Sequence, residues 1–210
     1  LPVMIPSTKS VFGEAHYSFT LAPTLGFDHA EATGAALPAN YELAAWAPDA
    51  LLGPAWPAIY AALGSAIHND YPVIEGLLNA VHLDHSITLK YTPEQMLERG
   101  ITTIDVTSHV AAVDESSSGR IVTVALELKA NGEHVGSTQE RFAIRGRATG
   151  NRAPSEAAPF GGAKVEVVDT PRSVLRRVSV KAPDDMTPFA IVSGDYNPIH
   201  TSYAAAKVAG

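Results

Sequence analysis

The sequence predicts an α+β fold in which an antiparallel sheet wraps around a central helix, with the start of a second such unit behind it. Three observations carry this. Residues 102–144 hold three strand-like runs in succession, separated by turn signals. One strongly apolar helical stretch precedes them. Near the C-terminus, a turn-rich segment with Asp, Asn and His leads into an Ala-rich helix start.

The three runs read as a meander. Residues 102–113 alternate Ile104, Val106, Val110 and Ala112 against polar partners, which is the period of a strand buried on one face. Ser116-Ser117-Ser118-Gly119 turns the chain, and residues 120–129 set Val122, Val124, Leu126 and Leu128 against Thr123, Glu127 and Lys129. Asn131-Gly132 then supplies a two-residue hairpin, because both residues tolerate the positive φ that such a turn demands. Residues 133–144 return along the sheet.

The helix expected at the centre spans residues 53–67. Trp56, Ile59, Tyr60, Leu63 and Ile67 recur at helical spacing, and Pro54 and Pro57 lie near the first turn, where a missing N–H does no harm. Before it, residues 15–21 read as extended, Phe27-Asp28-His29-Ala30-Glu31 as an exposed polar loop, and residues 41–46 as a short helix ahead of Pro48. After it, His68-Asn69-Asp70 reads as a polar cap or turn. In the strand of residues 81–89, alternation puts Val81, Leu83, His85, Ile87 and Leu89 on one face and His82, Asp84, Ser86 and Thr88 on the other. His82, Asp84 and His85 resemble a metal set, but on that count His85 faces away from the other two and a shared metal ion is disfavoured. Thr92 and Pro93 mark the start of a short helix that ends at Gly100.

Residues 147–164, rich in Ala, Pro, Gly and Ser at their centre, show no periodicity and read as a linker between a domain of residues 1–146 and the beginning of another at 165–210. Residues 165–180 read as extended. The basic group Arg172, Arg176, Arg177 and Lys181 reads as a solvated strand edge. The alternative is that it attracts a phosphate or an acidic protein surface.

Composition narrows the function. An apolar fraction of 46% with 18% charged residues suits a soluble protein with a sizeable core. A net charge of −7 offers no basic footprint for nucleic acid or an anionic membrane. Zero cysteines exclude a disulfide scaffold, Cys-ligated zinc and a Cys nucleophile. No apolar run reaches the length of a membrane span, so a cytoplasmic location is the expectation.

The chemistry concentrates in Ser193-Gly194-Asp195-Tyr196-Asn197-Pro198-Ile199-His200. Gly194 and Pro198 force a turn, and Asp195 and His200 can supply the two proton-transfer groups that elimination or hydration at a β-carbon needs. The helix that follows has Thr201 or Ser202 available as its N-cap. This segment resembles the signature of MaoC-like, R-specific hydratases and dehydratases, where a loop ending in Asp-x-Asn-Pro-Ile-His opens the central helix of a hot-dog fold. The meander of residues 102–145 resembles, more loosely, the non-catalytic half of MaoC-type double hot dogs. The whole chain, including Pro72-Val73-Ile74-Glu75-Gly76-Leu77-Leu78-Asn79-Ala80-Val81-His82-Leu83-Asp84-His85, is similar to the dehydratase region of an actinobacterial-type (type I) fatty acid synthase.

That resemblance implies a pseudo-hot-dog followed by the beginning of a catalytic hot dog. The implied reaction is removal of water from a (3R)-hydroxyacyl thioester to give the trans-2-enoyl thioester. Asp195 and His200 carry over as the acid/base pair, Asn197 as an orienting hydrogen-bonding group and Gly194 as the residue that permits the turn. Phe189, Ile191 and Ile199 are expected to pack. No cofactor or metal is implied. The substrate rides on the phosphopantetheine of an acyl carrier protein domain, and the partners are that domain, the other domains of the synthase and further copies of the chain.

Leu1-Pro2-Val3-Met4-Ile5-Pro6 lacks an initiator Met, and Lys207-Val208-Ala209-Gly210 stops just after a helix begins, so the chain is expected to be a piece of a longer polypeptide. A His-Gly segment that helps form the family's oxyanion hole is not reached, and the isolated chain is expected to be inactive. Two other readings stand beside the synthase dehydratase: a stand-alone R-specific enoyl-CoA hydratase, and a scaffold that braces neighbouring domains.

Overall fold

The computed structural model describes residues 10–11, 13–34, 47–77, 80–116, 119–145, 173, 177, 179, 181 and 183–209. The readings at residues 41–46, the linker, most of the extended run at 165–180, and Arg172 and Arg176 lie outside the described residues. In chain order the elements are β1 (Ser10–Val11), β2 (Glu14–Thr20), α1 (Leu25–Ala32), α2 (Leu52–Ser65), β3 (Ile67–His68), β4 (Tyr71–Pro72), β5 (Ala80–Leu89), α3 (Pro93–Glu98), β6 (Thr103–Ser116), β7 (Gly119–Ala130), β8 (Glu133–Arg145), α4 (Thr187–Ser193), α5 (Pro198–Thr201) and α6 (Tyr203–Ala209). A 3-10 turn at Pro48–Leu51 leads into α2.

Five strands form one antiparallel sheet in the order β2-β6-β7-β8-β5, and β1, β3 and β4 make a smaller one. The β7–β8 hairpin turns at Asn131 and Gly132, with φ of 51° and 81°, as the Asn-Gly pair dictates. Helix α2 lies on the sheet and buries Trp56, Ile59, Ala62 and Leu63 against Ile104, Val106, Val110, Val122 and Val124. Full burial of Ile59 and of Leu63 contributes roughly 1.5–3 kcal/mol each. A polar bond ties helix to sheet: the buried Ser108 hydroxyl of β6 donates to the Ala58 carbonyl at 2.7 Å. Helix α3 carries a full capping box, in which Thr92 Oγ1 accepts from the Gln95 N–H and Gln95 Oε1 accepts from the Thr92 N–H.

The structure corrects several expectations. Residues 27–31 belong to helix α1 rather than an exposed loop. Ile67 leaves the central helix for β3, and Tyr60 is 40% exposed. In β6 the pairing shifts between Val110 and Ala112, so Val113 packs on the core where strict alternation places Ala112. The largest departure is in β5, whose pairing with β8 shifts between His82 and Asp84. The bulge reverses the alternation, leaving Val81 and Leu83 exposed at 42% and 43%.

His68-Asn69-Asp70 does form a turn, between β3 and β4, with positive φ at Asn69 and Asp70. Ser202, not Thr201, caps the last helix: Thr201 closes α5, Ser202 is extended, and its hydroxyl accepts from the Ala205 N–H at 3.4 Å. Of the basic group, Arg177 and Lys181 are exposed, and Lys181 pairs with Asp184 at 2.8 Å. No helix among the described residues is long and apolar enough to cross a membrane.

Candidate active site

Helix α4 ends on the N-terminal half of α2, and the contact is built from two glycines. Pro57 has no N–H, so the Gly53 carbonyl lacks its i+4 helix donor. Gly194 sits against that carbonyl: a Cβ placed there would lie 2.8 Å from the Gly53 oxygen and 3.2 Å from Trp56 Cδ1. With φ of 71°, Gly194 also ends α4 in the left-handed conformation that a glycine adopts without strain.

From this anchor a chain of local bonds shapes the loop. The Asp195 N–H donates to Ser193 Oγ at 3.2 Å, the Asn197 N–H donates to Asp195 Oδ1 at 3.1 Å, and the Ile199 N–H donates to Asn197 Oδ1 at 3.3 Å. Asn197 is therefore the N-cap of α5, and Pro198 occupies its first turn. One turn on, the His200 imidazole points back, with Nε2 3.5 Å from Asp195 Oδ2. Asp195 thus uses one oxygen to hold the loop and turns the other to His200. The Asp195 side chain is 23% exposed and that of His200 49%.

Gly194, Asp195, Asn197 and His200 are therefore brought together as the motif suggests. Phe189 lines a cavity, while Ile191 and Ile199 are 62% and 38% exposed and do not pack as expected.

Two cavities flank Trp56 and meet the loop. One, of about 470 Å³, is mainly apolar and lined by Tyr17, Leu25, Pro57, Tyr60, Ile191 and Tyr196 among others. Burial raises the Tyr60 hydroxyl pKa, and the negative charge of Asp195 raises it further. The other cavity, of about 270 Å³, is lined by Asp195 and Ser193, by Trp56 and Phe189 among apolar groups, and by His29, Asp49, His82 and His85.

Of these last four residues the sequence assigns no role to Asp49, puts His29 in a polar loop, and separates His82 from His85 by strand alternation. The bulge in β5 overturns it. Both imidazoles lie on one side, stacked with centroids 5.8 Å apart, while Asp84 turns away to pair with Arg141. Hydrogen bonds from Arg141 hold the Asp84 carboxyl below its usual range. The one available signal was the i, i+3 spacing of the two histidines, which share a side of a strand only when a residue is skipped.

No curated protein sequence matches the chain. Residues 162–210 match the family described as "MaoC like domain". The MaoC-like dehydratase from Phytophthora capsici superposes with a TM-score of 0.60 at 17% identity, covering 95% of this chain and 68% of that one. HtdX of Mycobacterium tuberculosis gives 0.59 at 17% identity, over 94% and 68%. The full-length peroxisomal multifunctional enzyme type 2 from Drosophila melanogaster gives 0.54 at 17% identity, over 96% of this chain and 33% of that one. The sheet wrapped on α2 is the hot-dog fold of these MaoC-like proteins, and the segment with Asp195 and His200 lies within the stretch that matches the MaoC like domain.

Proposed function

We propose that the chain is the dehydratase region of a fatty acid synthase and takes part in converting (3R)-hydroxyacyl thioesters to trans-2-enoyl thioesters. The observation that carries this reading is the Asp195–His200 pair, held 3.5 Å apart by a capped turn. In the reaction the α C–H bond loses its proton to a base and the β C–O bond breaks. An acid protonates the departing hydroxyl, so that water leaves and the C=C bond forms. Asp195 and His200 divide the two proton transfers between them. Asn197 fixes the loop through its cap, and Gly194 lets the loop approach α2.

The apolar cavity beside Gly194 and Tyr196 suits an acyl chain. The carrier is the phosphopantetheine arm of an acyl carrier domain, and the region works within a multifunctional polypeptide, as the resemblance along the whole chain suggests. The match to the MaoC like domain supports an R-specific hydratase acting on CoA thioesters equally well. The two readings share their chemistry and differ in the carrier. Hydration of trans-2-enoyl thioesters by the natural polypeptide that contains these residues, followed on carrier-protein and on CoA substrates, separates them. Faster turnover on the carrier protein supports the synthase reading, and preference for CoA supports the hydratase. Turnover of neither would contradict both.

A further inference from the structure

We propose that His82, His85 and Glu140 form a binding site for a divalent transition-metal ion of the zinc class on the wall of the cavity that Asp195 lines. One potential ligand atom from each of the three residues lies within 4.8 Å of the other two. His82 Nε2 is 3.1 Å from Glu140 Oε2, and His85 Nδ1 is 4.0 Å from the same oxygen. Atoms bound to zinc at ~2.0–2.1 Å with tetrahedral angles lie about 3.3 Å apart, so small side-chain rotations close the set. Two imidazoles and a carboxylate are a donor set that zinc accepts with one position left open.

The supporting groups are also in place. His85 Nε2 lies 2.6 Å from Asp49 Oδ1, which fixes the ring and leaves Nδ1 facing Glu140 and His82. The Thr138 hydroxyl donates to Glu140 Oε1, which leaves Oε2 for the ion. A carboxylate behind a ligating imidazole and a hydroxyl behind a ligating carboxylate are the partners that orient metal ligands. Glu140 is fully buried, and a buried carboxylate needs a cation or donors about it. His82 and His85 keep 34% and 30% of their side chains exposed at the cavity. The bulge between His82 and Asp84 is what re-aims both rings to one side, a use that bulges near functional sites commonly have. His82 and His85 line the cavity, so water or an oxygen donor held there would complete the set.

The test is calorimetric titration of the metal-stripped 210-residue chain with zinc chloride, with Co2+ absorption as a second readout of the ligand set. One zinc per chain is expected. His82→Ala and His85→Ala should each weaken binding by tenfold or more, and Asp49→Asn by about 10–100-fold through loss of the orienting bond. His134→Ala, on the exposed surface, should bind as the wild type does. Where His82→Ala fails to fold, because its ring packs on Trp56 and Phe142, Asp49→Asn carries the comparison. Absent uptake, or uptake undiminished by both His85→Ala and Asp49→Asn, would overturn the site.

Discussion

Gly194 and Gly53 meet with no room for a side chain on either. A Cβ on Gly53 would lie 2.2 Å from the Val192 carbonyl oxygen and 2.8 Å from Ser193 Cα. Those atoms are backbone and cannot rotate away, so Gly53→Ala has to push α4 off α2. The expected cost is about 1–3 kcal/mol of stability, as for other overpacked contacts, with displacement of the Asp195 loop. Denaturant unfolding followed by tryptophan fluorescence measures it.

Gly194→Ala adds backbone strain to the same clash. Gly100 has nearly the same φ, 72°, with nothing within 4 Å of a built Cβ. Gly100→Ala therefore reports the strain by itself, and Gly194→Ala should destabilise by more. Equal losses in the two variants would show that the contact with Gly53 contributes nothing.

Tyr60 reports on the charge of Asp195. Its hydroxyl titrates above the ordinary tyrosine value because of burial first and the Asp195 carboxylate second. Asp195→Asn removes the second cause, so the Tyr60 pKa should move down towards that value. The Tyr60 signal is isolated by subtracting the ultraviolet titration of Tyr60→Phe, in the wild type and in Asp195→Asn. An unchanged Tyr60 titration would mean that the carboxylate is not where the structure places it.

His68 gives stability a pH dependence of definite sign. Burial and Arg120 lower its pKa, and Glu115 opposes them without prevailing. Asn69 Nδ2 lies 2.9 Å from His68 Nε2, where an amide donor holds the neutral ring. The unfolded chain titrates near ~6.5, so below that value it binds more protons than the folded chain. Stability is full above ~6.5, falls as pH drops from there, and levels off below the lowered folded-state value. His68→Gln removes this slope, so the stability advantage of the wild type should shrink between pH 7.5 and pH 5.5 in urea melts. An advantage that grows on acidification would reverse the sign and contradict the assignment.

What was legible in the sequence was local. Asn131-Gly132 set a hairpin because two adjacent residues accept positive φ, and Thr92 with Gln95 set a cap because their side chains reach three residues. Asp195, Asn197 and His200 fall in the same class, since turn, cap and helix lie within a few residues of one another. The bulges in β5 and β6 were not legible, because a skipped residue is decided by the partner strand across the ladder. One such skip hid the convergence of His82 and His85 on Glu140. The Gly53–Gly194 contact was equally hidden: each glycine has an ordinary local excuse, one in a helix start and one in a turn. Only the packing of α4 on α2 joins them.

The proposed function requires Asp195 and His200 to carry the proton transfers. Its most direct test is turnover of a (3R)-hydroxyacyl thioester by the natural polypeptide containing this sequence, with Asp195→Asn and His200→Gln measured separately. Unfolding midpoints are compared first, so that lost activity is not lost folding. Each variant should lose about a hundredfold or more in rate, with the 3-hydroxyacyl intermediate accumulating. Wild-type turnover in both variants would contradict it and leave these residues as scaffold.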